Sequence, residues 1–96
     1  MAFVRLSITT PRRGETARVL EIMQKLADAA RETQGCLFSY VLKPEDGSPD
    51  VARIAVYEDH VAADHLANTE HMLSLRAQLH LLIEPGHVEH AYTSVS

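Results

Sequence analysis

Apolar residues alternate with polar ones over residues 3–9, recur at helical spacing from Glu15 to about Thr33, and return to strand character at Cys36. The second half repeats the order, so the elements read strand, helix, strand, strand, helix, strand. A chain of 96 residues has room for one core, and residues 1–96 are read as a single domain. This order predicts an α+β ferredoxin-like plait, an antiparallel sheet with helices on one face.

Within the first strand, Val4, Leu6 and Ile8 share one face, and Phe3, Arg5, Ser7 and Thr9 share the other. Pro11 and Gly14 mark a turn, and Glu15 places negative charge in the first helical turn. Val19, Leu20, Ile22, Met23, Leu26, Ala27 and Ala30 form the helix's apolar stripe, and Gly35 is its stop. Cys36 to Leu42 and Val51 to Tyr57 read as strands. The turn formers of Lys43 to Asp50 lie between them and predict an antiparallel hairpin. A second helix runs from His60 to about Ile83, broken at Asn68-Thr69, two residues that favour caps over helix interiors. Pro85-Gly86 stops it, and His87 to about Val95 forms the last strand.

One sheet face is left without helices, and it is expected to carry Phe3 and Arg5. A domain this small gains by covering such a face, so two copies packed sheet to sheet are expected, a homodimer. The net charge of −4 and the absence of a basic run argue against nucleic acid. No apolar stretch is long enough to span a bilayer, and no signal-peptide pattern opens the chain. A cytoplasmic protein is expected. Cys36 is the only cysteine, so no internal disulfide forms, and in a strand it reads as a small buried hydrophobe.

Three segments together resemble the antibiotic biosynthesis monooxygenase domain family of the dimeric α/β-barrel superfamily: Gln34-Gly35-Cys36-Leu37-Phe38-Ser39-Tyr40 after the first helix, Val56-Tyr57-Glu58-Asp59 at the end of the third strand, and Ala62 to Met72 at the broken helix. The resemblance implies a dimer of ferredoxin-like subunits, each with a pocket between sheet and helices. It also implies oxygenation of phenolic or quinol substrates by dioxygen without flavin or metal, hence no cofactor. The chain departs from many oxygenase members in having no tryptophan. It also lacks the Asn on the first strand and the later helical His of the haem-degrading branch, which disfavours haem degradation.

By the same resemblance His65 and His71 are the catalytic candidates, brought toward one pocket by the helix break. His71, in a first helical turn, would be kept neutral and able to take a proton from a phenol or enol. Arg5, Tyr40 and Tyr57 are the substrate-binding candidates, as donors to the resulting anion. Each has a plainer reading: helix-end histidines that bond the backbone, an Arg5 paired with Glu58 or Glu89 on the dimer face, and core or interface tyrosines. No metal is expected, since the helical histidines lack i,i+4 spacing and His87 and His90 fall on opposite strand faces. The alternatives to an oxygenase are an isomerase or small-ligand binding dimer using the same pocket, and a structural dimer without turnover.

Overall fold

The alternation of the first strand and the helical stripe after it become β1 (Phe3–Thr9) and α1 (Thr16–Arg31). They are followed by β2 (Cys36–Leu42), β3 (Val51–Tyr57), α2 (His60–Ala67), α3 (Glu70–His80) and β4 (Val88–Thr93). The computed structural model describes residues 1–96. The four strands form one antiparallel sheet in the order β2-β3-β1-β4. Helices cover one face of it, the ferredoxin-like plait that the element order implies.

Six residues of the α1 stripe are buried: Val19, Ile22, Met23, Leu26, Ala27 and Ala30. All but Ala27 join Ala55 and Tyr57 of β3, Leu66 of α2, and Met72, Leu75 and Leu79 of α3 in one core. Fully burying a side chain the size of Leu26 stabilises the fold by about 1.5–3 kcal/mol.

The second helix is broken where expected. Thr69 caps α3, its hydroxyl accepting from the Met72 amide at 3.3 Å, while Asn68 turns back to donate to the Asp64 carbonyl at 2.9 Å. Asp59 caps α2 by accepting from the Ala62 amide. Gly35 sits between α1 and β2 at φ +90°, where an added Cβ would stand 2.8 Å from Cβ of Ala62. Its carbonyl accepts from the Glu58 amide at 2.7 Å, so the turn before β2 is tied to the turn before α2.

The structure corrects the expected facing of β1. Phe3, Arg5, Ser7 and Thr9 point to the helices. Phe3 packs against the core and edge-on to His60 of α2, and Arg5 reaches Asp64 of α2. Val4, Leu6 and Ile8 therefore lie on the open face. In register they continue into Val56, Ile54 and Ala52 of β3. Beyond those stand Phe38, Tyr40 and Leu42 of β2, and on the other side Tyr92, His90 and Val88 of β4. Of these twelve positions only His90 is not apolar or aromatic. Alternation identifies two faces but does not say which one the helices cover. Here the more apolar set is on the uncovered side.

Candidate functional site

Small residues in the helix-facing rows of the sheet leave room beneath α2 and α3. Ser7 stands in register between Arg53 of β3 and Glu89 of β4, and Arg5 stands between Ala55 and Ala91. Adjacent strands are about 4.8 Å apart, so Arg53 and Glu89 flank a floor about 10 Å wide, with only a hydroxymethyl between them. The resulting cavity has a volume of about 250 Å³. Leu66 and Met72 roof it, and Arg76 enters from α3. For scale, a dry cavity of about 150 Å³ admits benzene.

The cavity is strongly cationic. Arg5, Arg53 and Arg76 line it against one carboxylate, Glu89. Arg76 Nη2 lies 3.7 Å from Glu89 Oε1, a contact longer than a charge-assisted hydrogen bond. Arg5 Nη2 donates to Asp64 Oδ1 at 3.1 Å, but its Nε is buried with no hydrogen-bond partner. Arg53 forms no ion pair with any carboxylate. Burial pulls its pKa below the ordinary arginine value, countered in part by Tyr57 and Glu89. A guanidinium nevertheless stays charged. Tyr57 is 2% exposed and lines the same cavity. Burial pushes its pKa up against the opposing pull of Arg53 and Arg5, so it remains a neutral O–H donor.

Of the residues singled out in the sequence, Arg5 and Tyr57 meet at this cavity. Arg5 pairs with Asp64 and not with Glu58 or Glu89, because it faces the helices. Tyr40 lies on the opposite sheet face, its ring 5.7 Å from that of Phe38 and 5.6 Å from the Arg31 guanidinium carbon. His65 and His71 are exposed and line none of the cavity. The break that separates their helices does not turn them inward; Leu66 and Met72, one position along from each, take the inward places. Arg53, Arg76 and Glu89 are the additional residues. The available signal was Arg53, a charge inside the otherwise apolar strand Val51–Tyr57. No group of three or more His, Cys, Asp and Glu side chains is arranged to hold a metal ion, and no helix is long and apolar enough to cross a membrane.

No protein-family sequence model matches the chain, and no curated protein matches it by sequence. Solved structures do. Rv0793 from Mycobacterium tuberculosis superposes with a TM-score of 0.90 at 17% identity, over 100% of this chain and 97% of that one. SnoaB from Streptomyces nogalater, a cofactor-independent oxygenase, gives a TM-score of 0.85 at 18% identity over 99% and 94% of the two chains. A structure named antibiotic biosynthesis monooxygenase gives 0.85 at 18% identity with both chains fully covered. At such identities the likeness establishes the fold and leaves the chemistry to the site. The chain has the fold of the antibiotic biosynthesis monooxygenase proteins, the fold that its sequence resemblance implies.

Proposed function

We propose that the protein is a cofactor-independent monooxygenase of small phenolic or quinol substrates, working as a cytoplasmic homodimer. The carrying observation is the cavity itself, in which a neutral tyrosine and three guanidiniums converge with one carboxylate. Its fold is shared with SnoaB, whose name states cofactor-independent oxygenation. A site with excess positive charge stabilises the anion of a bound phenol, which is what a substrate must become to give electrons to dioxygen directly. Tyr57 and the Arg5 guanidinium donate to that oxygen. Glu89 is the carboxylate placed to receive the proton. The quinol supplies both reducing electrons: one oxygen atom enters the ring, and the other leaves as water.

The same cavity supports a second reading, a binding protein or isomerase for a small anion, because its charge excess favours anions whether or not oxygen reacts. Oxygen uptake separates the two. The purified protein with 1,4-dihydroxynaphthalene and no added cofactor should consume oxygen above the uncatalysed rate, and binding without uptake favours the second reading.

The open sheet face supports the dimer. Phe38, Tyr40, Leu42, Val88 and Tyr92 are all exposed there, contiguous with Val4, Leu6, Ile8 and Ile54. A continuous apolar face of this kind marks an interaction surface. A second copy presents the same face, so one two-fold contact covers both.

A further inference from the structure

The charge of the cavity exceeds what a neutral quinol requires. Three arginines face one glutamate in the lining, and with Arg5 paired to Asp64 the excess is one positive charge, that of Arg53. The Arg5–Asp64 pair uses a carboxylate outside the lining. Arg53, held between Val41 of β2 and Ser7 of β1, has no acidic partner. A partly buried charge without a counter-ion destabilises a fold, and an apolar residue of similar volume would serve the packing better. A guanidinium without a counter-ion at the wall of a cavity indicates that the counter-ion arrives with the ligand.

We propose that the ligand is a hydroxyaryl carboxylate of one or two rings, its carboxylate held by Arg53 with Arg76 and its phenolic oxygen by Tyr57 and Arg5. This rests on the reading of the cavity as the substrate site. One carboxylate supplies the counter-charge that Arg53 lacks. A volume of about 250 Å³ takes one or two rings. The planar guanidinium fork of Arg53 matches a carboxylate in two parallel hydrogen bonds. A phosphate monoester would satisfy the same charge, but Leu66, Met72 and Ala63 also line the cavity and favour an aromatic body.

Anaerobic calorimetry with 1,4-dihydroxy-2-naphthoate and with 1,4-dihydroxynaphthalene tests this without any turnover. The acid should bind about tenfold or more tightly, the scale of a hydrogen bond to a charged group. Arg53→Met should remove that preference, bringing the two affinities within about twofold of each other, and hold or raise Tm, since it replaces an unpaired charge by an apolar chain. Arg76→Met should reduce the preference as well, so the test does not depend on one variant folding. Equal affinities in the wild type, binding of neither compound, or a preference that survives Arg53→Met would each overturn the proposal. So would inorganic phosphate competing better than the acid. Failure of oxygen uptake with a bound acid would count against the monooxygenase reading and leave this inference standing.

Discussion

The Arg76 guanidinium stands 3.7 Å from the Glu89 carboxylate and ties α3 to the edge strand β4. Glu89 is the one acid among the lining residues. Removing its charge leaves every cation in place, so Glu89→Gln should bind an anionic quinol at least as tightly as the wild type. Oxygen consumption should fall about 10²-fold, the lower range for loss of a general base. His65→Ala and His71→Ala should change kcat/KM by less than about twofold, since both side chains lie outside the cavity. A large loss in either histidine variant with Glu89→Gln unaffected would return the base to the helix break.

On the open face Leu6 stands beside Ile54 and His90, with Tyr40 beyond Ile54. Light scattering should give twice the monomer mass for the wild type. Ile54→Asp should give the monomer mass, because a buried unpaired carboxylate opposes association. A monomeric wild type would contradict the dimer.

Gly35 should not tolerate a side chain. Its φ of +90° and the 2.8 Å approach to Cβ of Ala62 act together. Gly35→Ala should therefore lower stability by about 1–3 kcal/mol in denaturant melts. Gly47, at φ +80° with open space around it, should cost less on the same change.

Stability should fall at alkaline pH. The folded-state pKa of Tyr57 is raised by burial, so the folded protein keeps a proton that the unfolded chain releases near pH 10. Stability from this group is complete below the unfolded pKa and is lost as pH rises through the folded one. Cys36, also raised by burial, adds to the loss from about pH 9 upward. Tyr57→Phe should flatten the fall in Tm between pH 9 and 11 relative to the wild type.

The order and type of the elements were legible because each carries its own period, and α1 buries the stripe read from it except for Leu20, which is partly buried. The break at Asn68-Thr69 was legible from cap chemistry. The site was legible only in part. Arg5 and Tyr57 were candidates from the sequence and line the cavity, but their gathering with Arg53, Arg76 and Glu89 depends on strand register and strand order, which local patterning does not encode. The facing of β1 was misread for a physical reason. When both faces of a sheet are to be covered, one by helices and one by a second copy, the more apolar face need not be the one under the helices. The helix-facing side here carries charge where Arg5, Arg53, Arg76 and Glu89 line the cavity.

The most direct test is turnover under ¹⁸O₂ with purified protein, no added cofactor, and 1,4-dihydroxy-2-naphthoate as substrate, with Arg53→Met in parallel. The account expects one labelled oxygen per product molecule, one oxygen consumed per turnover, and a rate that falls with Arg53→Met through a raised KM. An uptake rate equal to the protein-free control, or label incorporation unchanged by Arg53→Met at limiting substrate, would contradict it.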